Sequence, residues 1–160
     1  MPDSPINVTW IAAASFKAAT LLLNQYRPRL LDVAGQSGPE GLALCVFPEI
    51  LSAALCCELY LKSLKSGLTG HNLRELFGSL REPSREAIIE GVIRAGGEGY
   101  GRDQFYSDLE ANAEVFTRWQ SFAEGGKIVS FNISFLTNFM NALQRFSAEN
   151  HAVKELTPDF

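Results

Sequence analysis

From residue 48 to about residue 66 the chain is apolar on nearly every side once wound as a helix. Ile50, Ala54, Cys57, Leu61 and Leu64 fall on one face, and Leu51, Leu55 and Leu59 fill another. A helix of that kind persists only when other helices surround it, so this segment is predicted to run through the centre of a bundle. No stretch alternates apolar and polar residues in the two-residue period of a half-buried strand, and no internal repeat is present. The expected fold class is all-α, an up-and-down helical bundle of five to six helices forming a single domain over residues 1–160. A chain of 160 residues, 46% hydrophobic, can bury such a core without metal or disulfide staples.

The other helices follow from their punctuation. Ser4-Pro5 reads as a helix start, with Trp10, Ala14, Ala18, Leu21 and Leu22 on one side through about Tyr26, and Pro28 as the stop. Residues 28–47, with Gly35, Gly38, Pro39 and Gly41, are predicted to form a long loop. Gly67 and Gly70 end the central helix, residues 71–80 form a short third, and Pro83-Ser84 opens a fourth that buries Ala87, Ile88, Val92 and Ile93. Gly96, Gly97, Gly99 and Gly101 lack the lysine pattern and preceding strand of a phosphate loop, which makes them a flexible connection. A fifth helix is predicted from near Arg102 through Phe105, Leu109, Asn112, Phe116, Trp119 and Ala123. Ser130 caps the sixth, whose stripes Phe131, Phe135, Phe139, Ala142, Phe146 and Ile133, Leu136, Met140, Leu143 cover an arc of about 200°. One neighbouring layer needs about half of that, so the helix is expected either to lie centrally or to have a second partner, and a two-fold homodimer using part of this surface is the expected form of the latter.

Charge and cysteine usage narrow the partners. Net charge is −4, and the 14 Lys and Arg residues are scattered, which disfavours a broad nucleic-acid face while leaving room for a small basic cluster at a dimer groove. Cys45, Cys56 and Cys57 form neither a disulfide framework nor a metal-binding array, so they read as small core residues in a reducing cytoplasm. No metal and no cofactor is expected. The N-terminus lacks a secretory signal and no apolar run approaches eighteen residues, so no membrane association is expected either.

Glu58 projects between Leu51, Ala54 and Leu55, where a bare carboxylate costs several kcal/mol if buried alone. It therefore needs a partner: Lys62 one turn later, Lys65 in the same strip, His71, or the Trp119 indole. His71 opens the third helix, as a cap or as a hydrogen bond across the bundle.

Glu58-Leu59-Tyr60-Leu61-Lys62, a glycine-containing break, His71-Asn72-Leu73-Arg74-Glu75-Leu76-Phe77 and the later Phe116-Thr117-Arg118-Trp119 together resemble the HEPN family of helical domains, as does Phe47-Pro48 leading into an apolar helix. The resemblance extends from about residue 10 to residue 143 and implies that Glu58, Lys62 and His71 occupy motif positions. Relatives tend to have tryptophan followed by arginine and tyrosine; this chain has Trp119-Gln120-Ser121, with Arg118 before the tryptophan. Ribonucleases of the family carry an arginine followed, after four to six residues, by a histidine, a spacing met by Arg145 and His151, although Phe146 stands where a polar residue is usual. His151 would then be the general acid or base and Arg145 would stabilise charge on the phosphate. Six steps along a regular helix put the two about 120° apart, so they converge only if the helix ends near Ala148. The resemblance implies a homodimerising module that binds a nucleotide, RNA or a partner protein; the alternative is a metal-independent endoribonuclease of toxin or antiphage type.

Overall fold

Residues 8–35, 39–118 and 131–156 are described in a computed structural model of the chain, with the backbone alone for residues 30, 31, 33–35, 39–45 and 151–156. They form α1 (Val8–Gly35), α2 (Pro39–Leu64), α3 (Leu73–Gly78), α4 (Glu82–Gly96), α5 (Arg102–Ala111) and α6 (Ile133–Leu156). A further helical turn covers 115–118, and no strand occurs among the described residues. The fold is an all-α helical bundle.

The centre of α2 is made of small residues. Ala53, Ala54, Cys56 and Cys57 are fully buried, whereas Leu51, Leu55 and Leu59 are only half-buried, at the margin of the core. Small side chains let neighbouring backbones come close: Cys56 Sγ donates to the Ala13 carbonyl of α1 at 3.2 Å, and Cys57 Sγ to the Leu136 carbonyl of α6 at 3.7 Å. Larger groups fill the space beyond. Phe77, Phe105, Phe135 and Phe139 interlock, with Phe77–Phe105 centroids 5.4 Å apart and Phe135 stacked on Phe139.

Neither Pro28 nor Pro48 ends a helix. Both lie inside one, and the predicted loop over 28–47 is a helical hairpin wherever it is described. An internal proline costs about 3 kcal/mol through its missing N–H and its clash with the preceding turn. Both prolines are exposed. Their neighbours supply the compensation. Arg27 donates from Nε to Glu49 Oε2 at 2.8 Å and from Nη2 to Oε1, and Asn24 Nδ2 donates to Oε1 at 2.9 Å. A fully buried carboxylate after Pro48 thus ties α2 to the residue before Pro28 on antiparallel α1.

That tie belongs to an inner face of α1 that is largely polar. Thr20 Oγ1 donates to Ser52 Oγ at 3.0 Å, and Lys17 donates to Gln144 of α6. Burial lowers the Lys17 pKa, with Cys56 opposing and Arg145 reinforcing that shift. Ala13 is the one fully buried apolar side chain of α1 among the described residues. The side expected to face the core faces water instead: Ala18, Leu21 and Leu22 are exposed and Trp10 and Ala14 half-buried. On α6 the reverse holds, since Phe135, Leu136, Phe139, Met140, Ala142 and Leu143 are all buried against α2, α4 and their neighbours. The surplus apolar surface belongs to α1 rather than α6.

The α5–α6 corner is fixed by hydrogen bonds. α5 stops at Ala111 instead of continuing to residue 123, because Asn112 turns its side chain back, donating from Nδ2 to the Asp108 carbonyl at 2.8 Å and accepting from Asn132 N at 3.1 Å. Asn132 Oδ1 then accepts from Phe135 N at 3.0 Å, which makes it the cap of α6; Ser4, Pro5 and Ser130 lie outside the described residues. Buried Asp108 has three neutral donors: Tyr100 Oη at 2.8 Å, Gln104 Nε2 at 3.1 Å and Asn132 Nδ2 at 3.1 Å. The glycine run before it is shaped around Tyr100, for a Cβ on Gly96 would fall 2.5 Å from that ring. In α4 the buried residues are Ile88, Ile89 and Val92; Ile93 is half-buried and Ala87 exposed.

Two measurements check this packing. Asp108→Ala leaves three donors without their acceptor and is expected to lower stability by about 3 kcal/mol in urea unfolding; an unchanged midpoint would show the corner to be ornamental. Burial pushes the Cys56 thiol up to about 12 from 9.0, and raises the Cys57 and Tyr60 pKa values as well. Because the unfolded chain releases these protons first, the stabilisation is complete below about pH 9 and is lost as pH rises towards 12. Urea midpoints are expected to fall across that window, less steeply in Cys56→Ala.

Candidate functional site

The best-organised polar cluster lies where α2 ends and the chain returns into α3. Gly70 sits there at φ +87°, in the left-handed region where other residues are strained. Asn72 caps α3, its Oδ1 accepting from Glu75 N at 3.1 Å, so His71 stands just outside the helix it was expected to begin. Its ring is thereby free to turn towards α2.

Glu58, 2% exposed, receives it. His71 Nδ1 lies 3.1 and 3.0 Å from the two carboxylate oxygens, and Lys62 Nζ donates to Oε1 at 2.6 Å. A carboxylate only accepts, so Nδ1 carries the hydrogen by assignment from geometry, and Nε2 is left as the outward nitrogen. The His71 side chain is 68% exposed and leans on Phe116, ring centroids 5.7 Å apart. A buried carboxylate that orients an imidazole in this way can hold a proton at Nδ1 while Nε2 exchanges one with solvent. The same contacts pin α3 and the 115–118 turn to α2.

Beside this cluster a cleft of about 380 Å³ is lined by Asn72, Arg74, Glu110, Glu114 and Arg118, among others. Arg74 pairs there with Glu110 at 2.7 Å, while Arg118 Nη1 donates to the Ala111 carbonyl at 3.2 Å. Trp119 lies outside the described residues.

Arg145 and His151 are placed differently. α6 runs unbroken to Leu156, so the two leave one helix about 120° apart. Arg145 is exposed and acts on Lys17 at the α1–α6 joint; the His151 side chain lies outside the description. Phe146 and Asn150, between them in sequence, line another cleft.

The sequence reading singled out Glu58 and passed over Glu49 and Asp108. Both sit in apolar neighbourhoods, beside Ile50 and Leu109, so the same question of what answers a carboxylate there identifies them. No family model matches the chain, and neither a curated protein nor a solved structure matches it significantly.

The chemistry of the Glu58 cluster sets its expected response. Glu58→Ala removes the acceptor that joins two helices and is expected to cost about 3 kcal/mol in urea unfolding, while His71→Ala, at an exposed position, costs about 1 kcal/mol. Equal losses for the two variants would contradict a buried carboxylate as the centre of this joint.

Proposed function

We propose that the chain is a HEPN-like helical module that works as a homodimer, with two copies meeting along the outward face of α1. The observation that carries the proposal is the reversed polarity of that helix. Val8, Ile11, Ser15, Ala18 and Leu22 recur at steps of three and four, the spacing of a seam between paired helices, and Leu21 and Tyr26 flank them. Val8 is 73% and Leu22 55% exposed. Singly exposed apolar residues are ordinary, but a continuous stripe of them marks a contact surface.

A second copy is the occupant that fits. No exposed residue from 8 to 26 is charged, so an isologous contact brings no like charges together. Two such stripes together present on the order of 1,000 Å², close to the lower bound for specific interfaces. A helix lying on a membrane surface would carry several cations beside its apolar face, whereas Lys17 and Arg27 turn inward to Gln144 and Glu49, leaving Arg29, over the Tyr26 ring, as the exposed cation of α1 among the described residues. No helix among the described residues is long and apolar enough to cross a membrane.

The HEPN-like reading is supported by the helical architecture and by Glu58, Lys62 and His71 meeting at one joint. The ribonuclease reading draws less support, because unbroken α6 separates Arg145 from His151 within one copy.

Light scattering after gel filtration is expected to give a dimer at tens of micromolar, and Leu22→Glu or Ile11→Glu to give a helical monomer. A monomeric wild type, or a dimer indifferent to both substitutions, would mean that α1 does not join two copies, and the proposal would fall.

A further inference from the structure

A second cleft, of about 840 Å³, opens where α2 ends, the α3–α4 link turns and α6 passes. Lys65, Arg81, Asn150 and four serines face it, Phe146 and Leu80 supply an apolar wall, and no acidic side chain lines it. In a chain with 18 acidic and 14 basic residues, that lining is one-sided.

Lys17, Arg85 and Arg118 donate to neutral oxygens, but four other cations outside the cleft are bound to carboxylates: Arg27 to Glu49, Lys62 to Glu58, Arg74 to Glu110 and Arg102 to Glu86. Those in the cleft are not. Lys65 Nζ donates to the Ser79 carbonyl at 2.8 Å, which fixes its position without neutralising its charge. Arg81 makes no ion pair among the described residues. Arg81 also precedes α4 without a side-chain cap, so the first-turn amides of Glu82 and Ser84 remain open at the same corner. Neither Glu82 nor Glu149, neighbours in sequence of Arg81 and Asn150, lines the cleft.

We infer that this cleft binds the phosphate group of a small phosphomonoester. The Arg81 guanidinium and Lys65 ammonium bracket the anion, the Ser84 hydroxyl supplies a further donor, and Phe146 and Leu80 shelter an apolar group on the ligand. A planar guanidinium fork beside a point charge is the donor set that phosphate oxygens take most strongly. The volume lies within the range of small-molecule sites. α1 contributes nothing to the cleft, so the inference stands apart from the dimer proposal.

Calorimetric titration of the full chain with phenyl phosphate, inorganic phosphate and phenol tests it. One saturable site is expected for phenyl phosphate, with inorganic phosphate weaker and phenol weaker still. Arg81→Ala and Lys65→Ala are each expected to weaken phenyl phosphate at least roughly tenfold, the loss of one charge-assisted contact. Arg81→Lys is expected to restore part of that loss. Arg94→Ala, on exposed surface at the far end of α4, serves as the control and should bind as wild type. Absence of saturation by phenyl phosphate overturns the site. An equal loss in Arg94→Ala overturns it as well, by reducing the binding to diffuse attraction. Circular dichroism of each variant verifies that the exposed substitutions leave the helices intact.

Discussion

Each of the three buried carboxylates among the described residues is answered by donors from another segment: Glu49 by α1, Glu58 by His71, and Asp108 by Tyr100 and Asn132. Helices that meet through alanine and cysteine can slide past one another, because small smooth surfaces offer few interlocking knobs. Buried acceptors remove that freedom. A slip of one residue along α1 carries Arg27 away from Glu49 and leaves a charge in the interior unpaired, a penalty of several kcal/mol. Hydrogen bonding thus sets the register of contacts that hydrophobic burial holds together.

For α1 this division of labour has an unusual outcome. Its grip on α2 comes from Asn24, Arg27, Thr20 and the Cys56–Ala13 contact, and of its large apolar residues Trp10 packs against the core while Ile11, Leu21 and Leu22 do not. Ile11, Leu21 and Leu22 remain on the water side, where their apolar surface is unfavourably hydrated. The prolines fit the same picture. Exposed Pro28 and Pro48 weaken the helices at the level where the buried ion pair crosses between them.

The sequence made part of this legible. Period and punctuation locate α3 and α4, and the apolar surround of Glu58 foretells that it must be met by a partner, with Lys62 and His71 two of the four candidates the sequence offers. Pro28 misleads because local stop signals carry no knowledge of a tertiary bond that offsets them. The orientation of α1 misleads for a different reason: hydrophobic periodicity identifies which residues share a face, but core and partner surfaces leave the same pattern. Asn112 was read as one more position in the seam of α5, where its amide in fact terminates the helix by bonding back to Asp108. Arg81 and Lys65 are separated by a helix and two turns, so nothing in their spacing announces a shared cleft.

The two proposed surfaces lie on different parts of the frame. α1 reaches the rest of the bundle through α2 and through the Lys17–Gln144 contact with α6, while the cleft is built from the far end of α2, the α3–α4 link and the later turns of α6. Any coupling between self-association and ligand binding has to pass along α2 or α6. Both are continuous helices held in register by buried acceptors, and a rigid element transmits a shift only when it has a second position to occupy. The Glu58–His71 joint stands at the α2 end of that route. It is the element whose making and breaking could give α2 such a second position, since His71 is the exposed partner of a buried charge. Without movement there, the dimer face and the cleft act independently, each with its own set of residues.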